Sequence, residues 1–275
     1  MEVRVSDGNG EETLSQYEHL AVGRDGPATT VTLSRPDSHN ALNGRLIWEL
    51  ARLFEALAED EDARVVVITG EGSSFCAGAD VRYMRDTADL TYEENLEDAR
   101  GLALMFRAVD ECPKPVVAKV RGAAIGGGAG LVAAADVVVA EEGARFAFSE
   151  VRLGIAPATI APFVVRKIGH SQARSLFLTG ERFGAERARE IGLVHAVVPP
   201  EELDAAVGET TERLLRGGPH AQAYIKGMLR QLEALEPMDA PGPMTRLIAE
   251  LRTGEEGQEG LAAFLEKRDP RWRTG

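Results

Sequence analysis

Cys76 and Cys112 are the only two cysteines in the 275 residues. Two thiols build no disulfide framework, and no paired Cys spacing points to a metal motif. The five histidines (His19, His39, His170, His195, His220) show no ligand spacing either, so no metal site is expected. Long apolar runs are missing too: none reaches the roughly 18 residues of a membrane-spanning helix. Met1 to Glu18 is polar and acidic, without the basic start and apolar centre of a signal peptide. A cytoplasmic chain with no membrane partner is expected. Positive charge is scarce, with 31 Lys and Arg against 44 Asp and Glu, a net charge of -13. The lysines are only Lys114, Lys119, Lys167, Lys226 and Lys267. Such a surface repels nucleic acid phosphates and anionic lipid, so no nucleic acid partner is expected. An anionic substrate would need positive charge supplied locally at its site.

What remains is ordinary for a globular protein: 44% hydrophobic and 27% charged residues. The length suits one large core, or a core with a small appendage. Residues 1–16 read as a mobile polar tail. Residues 29–33 (TTVTL) and 64–70 (RVVVITG) read as strands, the second buried on both faces. Residues 43–59 have apolar residues at helical spacing, with Asn43 as a cap, and place Trp48 in the core. Residues 71–81 form a Gly/Ser-rich loop, and 92–110 a helix opened by acidic residues. Strands follow at 115–120, 137–140, 145–148 and 194–198, and helices at 131–135, 171–179 and 185–191. Short strands alternating with helices predict an α/β core over 17–200 with a largely parallel sheet. After Pro199 and Pro200 the pattern over 201–275 is helical, broken at 236–243.

Three segments carry chemistry. The first is Ser74-Phe75-Cys76-Ala77-Gly78-Ala79-Asp80. The second is Arg121-Gly122-Ala123-Ala124-Ile125-Gly126-Gly127-Gly128-Ala129-Gly130. Both follow strands and have little side chain, so a ligand can approach the backbone. The second runs into a helix, whose N-terminal N–H groups suit a developing oxyanion. Read alone, such a stretch equally packs a helix on a sheet. It has neither phosphate-loop nor dinucleotide spacing. The third segment, Phe148-Ser149-Glu150-Val151-Arg152-Leu153-Gly154, sets a carboxylate among apolar residues. Burial would raise its pKa toward neutrality, whereas exposure would make it an ordinary surface charge. Cys76 reads as a small packing residue and Asp80 as a helix cap. Trp272 is a candidate for a subunit contact.

Together these segments resemble the enoyl-CoA hydratase/isomerase (crotonase) superfamily. The likeness runs from Thr32-Leu33-Ser34-Arg35-Pro36 and His39-Asn40-Ala41-Leu42, through FCAGAD and AAIGGG, to Phe264-Leu265-Glu266-Lys267-Arg268. It implies a ClpP-like ββα superhelical spiral with a C-terminal helical region that builds homotrimers, often paired as hexamers. It implies an acyl-CoA thioester as substrate and no cofactor, coenzyme A being part of that substrate. Ala79 and Gly127 then supply the two oxyanion N–H groups. His39, Ala41, Leu42, Ala77, Ala79, Asp80 and Gly127 line the coenzyme A channel. Phe264 packs near the adenine, and Lys267 reaches the phosphates from a neighbouring subunit. The segment from Tyr83 to Leu104 shapes the acyl pocket.

Hydratases of this family carry two glutamates. The second matches Glu150, but the first falls on Gly130. One carboxylate shuttling one proton is the pattern that Δ3,Δ2-enoyl-CoA isomerases resemble. The strings GGGAGLVAAADVVVA and SEVRLGIAPATIAPFVVRKIG, however, look like bacterial methylglutaconyl-CoA hydratases, which also tend to have glycine there. That likeness implies hydration of 3-methylglutaconyl-CoA, with Arg82 and Arg152 as candidates for the substrate carboxylate. Isomerisation is the alternative within the same site. A non-catalytic or RNA-binding protein on the same scaffold is an alternative of another class, and the acidic charge disfavours RNA binding.

Overall fold

Runs of β-branched residues set the sheet. A computed structural model describes residues 17–273, so the tail expected over 1–16 lies outside the described residues. The first strands are β1 (Leu20–Asp25) and β2 (Ala28–Leu33), followed by helix α1 (Gly44–Glu59) and β3 (Val65–Gly70). Next come α2 (Val81–Ala88), α3 (Tyr92–Glu111), β4 (Val116–Val120), β5 (Ala123–Ile125), α4 (Gly127–Ala134), β6 (Val137–Glu141) and β7 (Arg145–Ala147). The core ends with α5 (Ala161–Thr179), β8 (Arg182–Gly184), α6 (Ala185–Glu190) and β9 (Ala196–Val198). Helices α7 (Leu203–Leu215), α8 (Pro219–Glu233), α9 (Pro241–Thr253) and α10 (Glu255–Glu266) complete the chain.

The large sheet has the order β1-β2-β3-β4-β6-β9, and the small one β5-β7-β8. In the large sheet only the β1–β2 pair is antiparallel. From β4 the path repeats: a strand of the large sheet, a strand of the small sheet, a helix. That is the ββα spiral. Alternation along β3 explains why the large sheet is covered on both faces. Val66 and Ile68 enter the main core with Leu50, Phe54 and Phe106 of α1 and α3. Val65 and Val67 face the other way, against Leu203 and Val207 of α7. So α7 still belongs to the packed core, although the strands end at residue 198. Each such fully buried side chain stabilises the fold by about 1.5–3 kcal/mol.

Caps fix the helices that carry the site. Asn43 accepts a hydrogen bond from the Leu46 N–H at 2.9 Å. Thr91 and Glu94 form a reciprocal capping box at the start of α3. Glu49 is fully buried yet satisfied, accepting from the N–H groups of Glu18 and His19 and from Arg45 Nε.

Three expectations need correction. Trp48 is 51% exposed rather than in the core, with the Arg45 guanidinium over its ring at 5.0 Å. Helix α4 begins at Gly127, not at residue 131, because the glycines themselves form its first turn. Helix α5 begins ten residues earlier than expected, at Ala161. Pro162 sits in the first turn, where its missing N–H costs nothing. Gly169, with non-helical dihedrals, kinks that helix and hid its continuity.

The last three helices bury little of their own apolar surface. Tyr224, Ile225, Leu229, Ile248, Phe264 and Leu265 are exposed. Ties to the core come from α8, where Lys226 Nζ meets Asp136 at 2.6 Å and Arg230 donates to the Asp110 carbonyl. Arg64 donates to the carbonyls of Gly217 and Trp272. Among the described residues no helix is long and apolar enough to cross a membrane.

Candidate active site

The site is made where two loops run side by side. Phe75 and Cys76 are completely buried and anchor the first loop. Cys76 donates to the Ala123 carbonyl at 2.9 Å and accepts from the Ile125 N–H at 3.0 Å, setting the register of the second loop. Its thiol is pushed up to about 12 by burial, so it packs and does not react. Further along, Leu42 pairs with Ala79 as an isolated parallel bridge. The Leu42 N–H donates to the Gly78 carbonyl at 2.7 Å, and the Asp80 N–H donates to the Leu42 carbonyl at 2.8 Å. In a parallel bridge of this kind the residue between the two bonds turns its own N–H away. The Ala79 N–H therefore points off the Leu42 side, and Ala79 is exposed.

Gly126 bends the second loop into α4 with φ 51° and ψ −117°, a conformation only glycine adopts easily. Gly127 is then the first helical residue, so its N–H has no acceptor within the helix. Leu42 links the two donors, since a Cβ built on Gly127 would lie 2.6 Å from Leu42 Cδ1. A Cβ on Gly126 would lie 4.0 Å from Gly78 Cα. Two backbone donors, at Ala79 and at the α4 N-terminus, thus belong to one small region.

Glu150 enters that region from the third segment. Phe148, just before it, is fully buried and packs edge-on against Phe177 at 5.3 Å. Glu150 opens a 3-10 turn through Leu153, ended by Gly154 in the left-handed region. Its carboxylate faces Gly126: a Cβ there would come 3.2 Å from Glu150 Oε1. The other oxygen, Oε2, is buried and has no hydrogen-bond partner among the described residues. Burial pushes the Glu150 pKa up, and its own backbone N–H offsets this only in part. A partly desolvated carboxylate with one oxygen unpartnered, beside a helix N-terminus, is suited to exchanging protons.

A cleft of about 730 Å³ opens beside Ala79, and His39, Ala41, Ala77, Asp80 and Arg82 line it as well. Its floor is held by polar ties. Asn40 is buried and donates to the carbonyls of Glu71 and Ser74. Arg35 pairs with Asp80 at 2.8 Å and donates to the Ala41 carbonyl. Asp80 caps α2 by accepting from the Arg82 N–H at 2.8 Å. Burial acts to raise the Asp80 pKa, but the Arg35 guanidinium and the Arg82 N–H outweigh it, and the carboxyl is held below its usual value.

Leu42 lies buried behind this cleft. Arg82 is exposed on the cleft wall, and Arg152 lies across Gly180. Neither forms an ion pair among the described residues. Phe264 is exposed on α10, and Lys267 ends that helix in a left-handed conformation. Neither lines the cleft within one chain. Trp272 donates to the Arg216 carbonyl at 3.2 Å. Reading the sequence did not single out Phe106 and Ile160, which close around Gly130. A Cβ on Gly130 would lie 2.3 Å from Ile160 Cγ2 and 3.0 Å from Phe106 Cε1. The signal was the bulky residue in the Pro157–Pro162 segment, whose contact with Gly130 no local pattern reveals.

Comparison with known proteins agrees with this architecture. The model of the family described as enoyl-CoA hydratase/isomerase matches residues 25–275. The 2,3-dehydroadipyl-CoA hydratase of Escherichia coli is 35% identical over 252 residues, covering 91% of this chain and 97% of its own. The crystal structure of an enoyl-CoA hydratase from Shewanella pealeana superposes with a TM-score of 0.90 at 38% identity, covering 94% of this chain and 97% of that one. AtuE of Pseudomonas aeruginosa superposes with a TM-score of 0.90 at 37% identity, covering 93% and 100%. Fold, loops and relatives converge: this chain belongs to the enoyl-CoA hydratase/isomerase (crotonase) family.

Proposed function

We propose that this protein reversibly adds water to a branched 2-enoyl-CoA that carries a free carboxylate at its far end, 3-methylglutaconyl-CoA being the favoured substrate. The observation that carries the reading is Glu150, its Oε2 without a partner among the described residues and its pKa raised by burial, beside the backbone donors of Ala79 and Gly127. The thioester oxygen sits between those two N–H groups. As water attacks the β-carbon, the π electrons move toward the α-carbon and the thioester oxygen becomes negative. Fixed donors aimed at that charge each lower the barrier by roughly 3 kcal/mol. Glu150 takes one proton from the attacking water and returns it to the α-carbon. The hydroxyl stays on the β-carbon, so one molecule of water is added and Glu150 ends as it began. Delivery of both parts from one carboxylate places them on the same face.

Arg82 on the cleft wall and Arg152 beside the Glu150 turn are the cations we assign to the substrate's free carboxylate. The Escherichia coli relative is named for a dehydroadipyl thioester, which also has a free carboxylate. We assign the exposed faces of α8–α10 to self-association as a trimer or a pair of trimers. Phe264 and Lys267 then reach the adenine and phosphates of a coenzyme A bound by a neighbouring copy. Turnover of 3-methylglutaconyl-CoA and crotonyl-CoA, followed by loss of enoyl-thioester absorbance and by product mass, tests this reading. A strong preference for the branched, carboxylated substrate is expected, and no water addition to either refutes it.

The closed space at Gly130 favours a second reading in the same site. Glu150 could take an α-proton from a 3-enoyl-CoA and return it to the γ-carbon, shifting the double bond. Conversion without oxygen from labelled water would select this isomerase reading.

A further inference from the structure

Gly130 has a buried neighbour that fills the space its missing side chain leaves. The Gly130 N–H donates to the Gly126 carbonyl at 2.9 Å, so Gly130 lies one helical turn beyond the residue that caps α4. The Glu150 carboxylate faces the first glycine and Ile160 faces the second. Ile160 is 2% exposed and Phe106 is fully buried. A Cβ on Gly130 would stand 2.3 Å from Ile160 Cγ2, 3.0 Å from Ile160 Cβ and 3.0 Å from Phe106 Cε1. Ile160 cannot yield cheaply. It is β-branched and stiff at χ1. Its carbonyl accepts from the N–H groups of Phe163 and Val164, both at 3.1 Å, so its backbone is part of the start of α5.

We propose that Ile160 is the residue that restricts this pocket to a single acid/base carboxylate. Its side chain occupies the place, one turn along α4 from Gly126, in which a second carboxylate on residue 130 would have to stand. Glu150 is then left to orient the water and carry the proton alone. Gly130 and Ile160 form a reciprocal pair: a side chain at one position requires a small residue at the other. The inference rests on the proposed hydration for its chemical half. Its steric half stands whatever the reaction is.

The experiment compares Gly130→Glu, Ile160→Gly and the double variant. Thermal midpoints and the pH profile of kcat/KM for crotonyl-CoA hydration are measured. Gly130→Glu alone is expected to lower the midpoint by about 10 °C, or to yield no folded protein. Adding Ile160→Gly is expected to recover a good part of that loss. The double variant is expected to hydrate crotonyl-CoA about tenfold or more faster than Ile160→Gly, with a second ionisation in its acid limb. A merely structural role for Ile160 would not add that ionisation.

Gly130→Glu melting at the wild-type midpoint would overturn the proposal. So would a double variant no more stable than Gly130→Glu, or a folded double variant with an unchanged pH profile. Where neither glutamate variant folds, Gly130→Ala with and without Ile160→Ala tests the same reciprocity through midpoints alone. Additive losses in that pair would refute it. A wild type that hydrates no substrate counts against the proposed reaction. A gain of crotonyl-CoA hydration in the double variant supports the present inference even then.

Discussion

Gly128 sits where the two loops press against each other, and replacing it by alanine isolates what their spacing does. A Cβ there would lie 2.2 Å from the Cys76 carbonyl oxygen and 2.9 Å from Cys76 Cβ. An ordinary carbon–oxygen contact is about 3.3 Å or longer. The loops must then separate by roughly 1 Å, because the obstacle is backbone and cannot rotate away. Cys76 is hydrogen-bonded to Ala123 and Ile125, so the strain falls on the register that sets Ala79 against Gly127. A displacement of about 1 Å at reacting groups costs on the order of 10²-fold in rate. Overpacking of this kind destabilises by about 1–3 kcal/mol. Gly128→Ala is therefore expected to lose about two orders of magnitude in kcat, with a smaller change in KM. The cleft beside Ala79 does not depend directly on Gly128. The assay is enoyl-thioester turnover well below the melting midpoint, with Gly227→Ala as control, since nothing lies within 4 Å of a Cβ at that position. A folded Gly128→Ala enzyme with kcat within about threefold of wild type would show that the loop spacing does not control the oxyanion donors.

Two further outcomes follow from charge. Burial raises the Glu150 pKa in the folded protein above its unfolded value. Its contribution to stability is thus fully present below the unfolded value and is lost as pH rises through the folded one. Glu150→Gln removes that loss, so the variant should melt higher than wild type at pH 8, with the gap closing as pH falls to the ordinary carboxylate range near ~4.3. Thermal unfolding at several pH values checks this, and a gap independent of pH would contradict it. Arg82→Ala should raise KM for 3-methylglutaconyl-CoA about tenfold and leave crotonyl-CoA unchanged, as expected for one lost charge-assisted contact. An equal rise for both substrates would assign Arg82 to the coenzyme A moiety instead.

Much of this fold is written in local pattern. The strands at 65–70 and 116–120 are apolar β-branched runs because both faces are covered, and α1 declares itself through Asn43 and its periodic leucines. Helices α4 and α5 were harder to delimit. Glycines open the first and Pro162 stands in the first turn of the other, so intrinsic propensity argues against helix where tertiary packing imposes it. The exposure of Trp48 was illegible for a related reason: helical spacing places it near the apolar face, while Arg45 supplies a surface partner. At the site, the loops carrying Ala79 and Gly127 could be named from sequence because small residues in order are visible there. The Arg35–Asp80 tie spans 45 residues, and the contact of Ile160 with Gly130 joins separate segments. No local motif encodes either one.

The most direct test of single-carboxylate chemistry is the rate of water addition to 3-methylglutaconyl-CoA by Glu150→Gln in labelled water. Proton transfer by a positioned side chain contributes 10²–10⁴-fold, so a loss of about 10³ in kcat is expected. KM should change little, and the wild-type acid limb should lie above the ordinary carboxylate range, because burial raises the Glu150 pKa. Hydration by Glu150→Gln at near the wild-type rate would contradict the account.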